Sequence, residues 1–152
     1  MKVLVFSIGT DRYGLRLRAI ARVLPVVALK QLPLAPGFVA GLMDLHGEPV
    51  PVIDLSRLAG ITPEQVWFDT RIILVDYPAG DGTLRPLGLL AEHVIGIEKL
   101  DDTALADSGV DAAPFLGQVA AGSAGMLQLV ELEQLLAPDV RALLFQAAGP
   151  AP

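Results

Sequence analysis

Pro36-Gly-Phe-Val-Ala-Gly-Leu-Met-Asp-Leu-His-Gly-Glu-Pro-Val-Pro-Val-Ile-Asp-Leu-Ser-Arg-Leu58 holds two apolar runs, Val39 to Leu45 and Val50 to Leu55, on either side of His46-Gly47-Glu48. Apolar runs split by a short polar segment containing glycine read as a tight β-hairpin. In the second run Val50 and Val52 share a face with Asp54, and Pro49, Pro51, Ile53 and Leu55 take the other. Residues two apart point their N–H groups to the same side, so Pro49 and Pro51 leave one edge of this strand unable to donate. Asp54 and Ser56, followed by Arg57 and Leu58, read as a strand passing into a short helical turn with a side-chain oxygen to cap it.

Upstream, Val3 to Ile8 alternates, Gly9 to Arg12 turns, and Tyr13 to Leu17 returns, with Tyr13, Leu15 and Leu17 opposite Gly14, Arg16 and Arg18. That pattern predicts a hairpin with one wet face. Ile20, Val23 and Leu24 recur at helical spacing as far as Pro25, which predicts a helix over 18–24 and a strand over 26–29. Pro33, Pro36 and Gly37 form a stiff loop into the central hairpin, and Gly60 to Pro63 opens a linker after it.

Downstream, Arg71 to Tyr77, a turn over 78–82 and Leu84 to Leu90 repeat the strand, turn, strand order of the N-terminus. Ala91 to Val94 reads as a turn, Ile95 to Leu100 as a strand, Asp101 to Pro114 as a polar loop and Ala124 to Val130 as the next strand. Val52-Ile-Asp-Leu-Ser-Arg-Leu58 has an echo in Leu129-Val-Glu-Leu-Glu-Gln-Leu135, each placing an acid at a strand end. Such an echo predicts two similar small barrels rather than one continuous sheet. Leu132, Leu135 and Leu136 give an apolar helix face that Pro138 ends; Asp139 caps a last helix to Gln146, and 147–152 is a frayed tail.

At 152 residues the chain is long enough to bury roughly 70% of its unfolded surface. With 53% of residues hydrophobic and 18% charged, it is not a disordered chain, and with few aromatics its core is built from Val, Leu, Ile and Ala. Eleven basic residues against seventeen acidic ones give a net charge of −6, with Arg12, Arg16, Arg18 and Arg22 the densest basic group, which argues against nucleic-acid binding. The absence of cysteine suits a reducing compartment, and the chain is expected to be cytoplasmic. Ser7, Gly9 and Asp11 cut the N-terminal apolar run too early for a signal peptide. The uncharged stretch from Ala112 to Val130 carries a proline and three glycines, so no membrane insertion is expected.

Candidate chemistry is sparse. His46 and His93 are the two histidines, and Asp44, His46 and Asp54 invite comparison with an acid–base or metal cluster, although a third metal ligand is missing from the sequence. Without a recurrent ligand spacing, plain hairpin surface residues are the preferred reading of them. Gly122-Ser123-Ala124-Gly125 resembles a nucleophile elbow, but Ala121 stands where that motif needs glycine. No phosphate loop, dinucleotide fingerprint or zinc spacing occurs. No catalytic residue, metal or cofactor is therefore assigned.

The central hairpin resembles the chemotaxis coupling protein family CheW, whose members carry a phenylalanine and glycine ahead of an Asn-Leu-Arg-Gly hairpin, then a Pro-Val-Ile-Asp-Leu-like strand. Phe38, Gly41, Leu45, Gly47, Pro51, Val52, Ile53, Asp54 and Leu55 match, whereas Asp44 and His46 stand where asparagine and arginine are usual. Val5 to Gly9 with Tyr13-Gly14-Leu15 looks like the family's opening hairpin. Leu87 to Leu90 leading to Val94, and Met126-Leu127 through Leu135, look like its later strands. The resemblance implies a mainly β chain forming one CheW-like domain over 1–152. It would consist of two packed five-stranded SH3-like β-barrels with short helices, the first over 1–65 and the second over 66–136, followed by a C-terminal helix and tail over 137–152.

It also implies a non-enzymatic adaptor that couples chemoreceptors to the histidine kinase CheA in a cytoplasmic array beneath the membrane. Its partners would be the kinase's regulatory domain, the cytoplasmic tip of a methyl-accepting chemoreceptor and other CheW-like proteins. On this resemblance Ile20, Val23, Ile72, Gly88 and Val94 map to a receptor-binding groove, and Leu45, His46, Gly47 and Ile97 to the kinase or coupling-protein contact. The apolar members of both sets serve as core residues equally well. Histidine lacks arginine's permanent forked cation, so position 46 is expected to weaken or retarget pairing. The alternative is a small-molecule-binding barrel or hydrolase using the Asp44, His46 and Asp54 face.

Overall fold

The computed structural model describes residues 1–80, 82–110, 113–122 and 124–145. Among them are nine strands and two short helices. The strands are β1 (Lys2–Ile8), β2 (Asp11–Arg16), β3 (Ile20–Pro25), β4 (Val39–Leu45), β5 (Glu48–Asp54), β6 (Arg71–Pro78), β7 (Leu84–Lys99), β8 (Leu116–Gly122) and β9 (Gly125–Val130); the helices are α1 (Leu55–Leu58) and α2 (Pro138–Leu144). The fold is mainly β, two five-stranded SH3-like barrels packed side by side.

The barrels share one long strand. The first half of β7 pairs with β6 and, in parallel, with β5, whereas its second half pairs with β1. A central barrel is thus made of β3, β4, β5, β6 and the first half of β7. A terminal barrel is made of β1, β2, β8, β9 and the second half of β7. This corrects the expected division at 65/66, because β1 and β2 bond to β9 and to late β7, and so close a barrel with the C-terminal strands.

Alternation along the strands explains why so many residues are apolar. Val3, Val5, Leu127 and Leu129 fill the terminal barrel, and Met43, Val50, Val52, Ile72 and Leu74 fill the central one. The intervening residues, Leu4, Phe6 and Ile8, Ile53 and Leu55, Ile73 and Val75, and Leu87 and Leu89, meet in a larger cluster between the barrels. Both faces of these strands are therefore dry, and the wet face expected for β1–β2 is absent: Gly14 is buried. Arg12 and Arg16 reach the rim instead, where Arg12 pairs with Glu98 and Arg16 grips both carboxylate oxygens of Glu131 at 3.0 and 2.9 Å.

Five local expectations change. Residues 20–25 form a strand, because a register shift between Ile20 and Arg22 inserts one residue and brings Ile20 and Val23, three apart, onto one face opposite Val75 and Ile73. That spacing imitates a helix. Residues 91–94 lie within β7, as a bulge where the register against β1 jumps between Val5 and Ser7. Pro138 begins α2 rather than ending a helix, with Ala137 at the N-cap and no side-chain cap from Asp139. No strand forms over 26–29, where Lys30 makes a single bridge to Leu42, and the strand β8 lies where none was expected. Asp81, Ser123 of the candidate elbow, Gln146 and the tail lie outside the described residues.

Candidate functional site

The seam between the barrels has exposed rims, and the edge strands β3 and late β7 carry them. Ile20 and Val23 continue, along β3, the seam face that Val75 and Ile73 hold in β6, but Val23 is 44% exposed. Ile97, 59% exposed, sits across from Leu4 of the same cluster. Val94 is half-buried against that cluster, and its N–H donates to the Asp69 carbonyl at 3.0 Å. Ile95, 70% exposed and alternating with Ile97, was not among the expected residues.

Two expected groove residues lie elsewhere. Ile72 is fully buried inside the central barrel. Gly88 is buried beside it, and a Cβ there would sit 2.9 Å from Val52 Cγ2 and 3.0 Å from Ile72 Cγ2. The alternation of β6 and β7 places both on the inner face, so neither forms part of an open groove.

The β4–β5 hairpin presents Leu45, His46 and Gly47. Leu45 is half-buried against the central-barrel core, and the other two are exposed. His46 and Gly47, at φ 53° and 88°, are the two residues between the paired Leu45 and Glu48. Positive φ at both central positions is the primed turn that suits strand twist, which demands glycine at the second and tolerates histidine at the first. The Gly47 N–H donates to Asp44 Oδ1 at 2.7 Å, a bond asparagine would make as well, so the Asp44 departure preserves the turn.

Asp44 pairs with Pro49, and Asp54 lies five residues further along β5, about 16 Å away at the usual strand rise. The Asp44, His46 and Asp54 face therefore does not assemble. Among the described residues no group of three or more His, Cys, Asp or Glu is placed to hold a metal.

A CheW-like domain model matches residues 2–139. The chain belongs to the CheW-like domain family. A chemotaxis protein CheW of Klebsiella aerogenes is 25% identical over 153 residues, covering 95% of this chain and 87% of the relative. Protein FrzA of Myxococcus xanthus is 29% identical over 136 residues, covering 86% and 82%. The crystal structure of a scaffolding protein CheW from Thermoanaerobacter tengcongensis superposes with a TM-score of 0.80 at 27% identity, covering 91% of this chain and 94% of that one.

This CheW-like domain also carries a polar cluster at the β7 bulge that sequence reasoning did not find, since its members are scattered from Ser56 to His93. Glu92 accepts from Ser56 Oγ and from Trp67 Nε1, both at 2.8 Å. His93, at φ 50°, places Nδ1 3.0 and 3.1 Å from the two Asp69 oxygens, with Oδ2 the better aligned, and its ring lies 5.3 Å from that of Trp67. Close by, Asp54 caps α1 by accepting from the N–H groups of Ser56 and Arg57 at 3.0 and 3.3 Å. Burial pushes the Asp54 carboxyl above the ordinary carboxylate value, against the pull of those two bonds and of Arg57, and Glu92 pushes it further up. Hydrogen bonds occupy these groups except Asp69 Oδ1, which has only the His93 ring beside it, and the arrangement positions backbone.

Proposed function

We propose that this CheW-like domain is a non-enzymatic scaffold of a chemosensory array, coupling a chemoreceptor tip to the regulatory domain of a CheA-type kinase in the cytoplasm. The supporting observation is the contrast along the seam: its centre is closed, yet its rims leave Val23, Ile95 and Ile97 exposed on edge strands. An apolar rim of this kind suits the apolar stripe of a helix. Ile20, Val23 and Val94 form the receptor-facing set; we add Ile97, first assigned to the kinase contact, because it is exposed across from Leu4 on the same rim. Leu45, His46 and Gly47 are the contact for the kinase or for a second coupling protein.

The test is calorimetric titration with a kinase regulatory domain and a receptor-tip fragment from the same cell. Binding at micromolar or tighter, about −8 kcal/mol, is expected for each. Val23→Glu should weaken the receptor fragment at least about tenfold and leave the kinase domain unaffected, since it buries a charge in one contact alone. His46→Arg should strengthen the kinase or coupling-protein contact. Absence of binding to both partners removes the adaptor reading.

A further inference from the structure

The segment from Ile61 to Thr70 joins α1 to β6, and little of it is buried. Ile61, Thr62, Glu64, Gln65, Val66 and Phe68 are exposed, and Thr70 is the one buried member. Besides the local bonds of Ile61 to Ser56 and of Phe68 to Arg71, its hydrogen bonds to distant residues converge on three successive residues of β7, at the point where that strand leaves the central barrel for the terminal one. Trp67 holds Glu92 through Nε1, the Asp69 carboxylate holds His93, and the Asp69 carbonyl holds the Val94 N–H. Ser56 fixes the other oxygen of Glu92. The gripped backbone is strained: His93 has φ 50°, a conformation that a residue with a Cβ adopts at some cost.

A mostly exposed segment held by a few directional bonds over a strained bulge is a structure that opens locally while the core stays closed. We propose that residues 61–70 are a latch, released as a unit from β7 while both barrels remain folded, and that its state reaches Val94 through Asp69. Closed, the latch fixes the backbone of a residue that borders the seam cluster. Open, it frees the bulge to relax and shifts Val94. The device belongs to the chain alone and stands or falls independently of which partners the scaffold binds.

Its test needs the purified chain only. Trp67 is the sole tryptophan, so its emission reports the latch, while amide hydrogen exchange at Val94 reports the bulge. Glu92→Ala removes the oxygens that accept from Ser56 Oγ and from Trp67 Nε1. We expect a red-shifted emission and Val94 exchange about tenfold faster or more, with the amides of Ile73 and Leu89 unchanged. Trp67→Phe retains a ring beside His93 and removes the donor to Glu92; it should accelerate Val94 similarly, and it decides the matter should Glu92→Ala not fold. A Val94 rate unchanged in Trp67→Phe would overturn the coupling. Acceleration shared equally by Ile73 and Leu89 would overturn the latch in favour of global loosening.

Discussion

The terminal and central barrels solve one packing problem twice and diverge at one matched position. In the terminal barrel Val3 and Leu127 close over Gly14; in the central barrel Ile72 and Val52 close over Gly88. Each glycine faces a parallel partner, Gly14 against Leu129 and Gly88 against Val52. The parallel partner strand leads to an acid in both cases, Asp54 at the end of β5 and Glu131 directly after β9. Glu131 lies at the surface and is held by the Arg16 guanidinium, whereas Asp54 is 6% exposed and turns inward to cap α1. The interior of this plan is thus restrictive, and its strand ends are free to take different chemistry.

The largest effect should come from the one element the barrels hold in common, the seam. Phe6 is fully buried there and stacks on Tyr13 at 6.4 Å. Phe6→Ala should cost about 3–5 kcal/mol. Because the seam that Phe6 fills is shared, unfolding followed by amide exchange at Val5 in the terminal barrel and at Val52 in the central barrel should still coincide. Two separated transitions would mean that the barrels are independent units and the shared seam is energetically minor.

Next in size is the pair of glycines. A Cβ on residue 88 would meet Val52 Cγ2 at 2.9 Å and Ile72 Cγ2 at 3.0 Å, both on stiff β-branched side chains. On residue 14 it would meet Leu127 Cδ2 at 2.9 Å, the end of a side chain that can rotate, and Val3 Cγ2 at 3.2 Å. Gly88→Ala is expected to cost about 2–3 kcal/mol and Gly14→Ala about 1 kcal/mol, read from denaturant midpoints at constant slope. Equal losses would show that both barrels repack alike and would cancel the distinction.

What the sequence disclosed follows the same division. The β4–β5 hairpin was legible because its turn chemistry is local: Gly47 at positive φ, Asp44 bonded three residues on, and Asp54 capping the next turn all act within a few positions. The echo between residues 52–58 and 129–135 was legible because the barrels reuse one strand order. Hidden were the features set by distant pairing. The bulge in β3 disguised a strand as a helix, and the crossing of β7 from one barrel to the other left no mark that a cut at 65/66 could respect. Of the candidate residues, Val23 and Ile97 are exposed. Ile72 and Gly88 were misplaced because both faces of their strands are apolar, so alternation alone does not distinguish the seam, the rim and the barrel interior.

The smallest effects lie at the matched acids, where the comparison is sharpest. Asp54→Ala removes a helix cap and should cost about 1 kcal/mol, most of it insensitive to salt because the two N–H groups it served are left without a partner, with only the Arg57 contact screened. Glu131→Ala breaks a partly exposed ion pair and should cost under about 1 kcal/mol, fading as salt rises. The pH response separates them further. Burial raises the Asp54 carboxyl in the folded state, so between the ordinary carboxylate value and the raised one the folded chain binds more protons than the unfolded chain. In that window stability falls as pH rises, and above it this contribution is flat. Asp54→Asn keeps the capping oxygen and loses the titration, so it should erase that downward slope while retaining most of the cap. An unchanged slope in Asp54→Asn would mean that the buried end of the central barrel is as well solvated as the exposed end of the terminal one, and the contrast drawn between the two acids would fail.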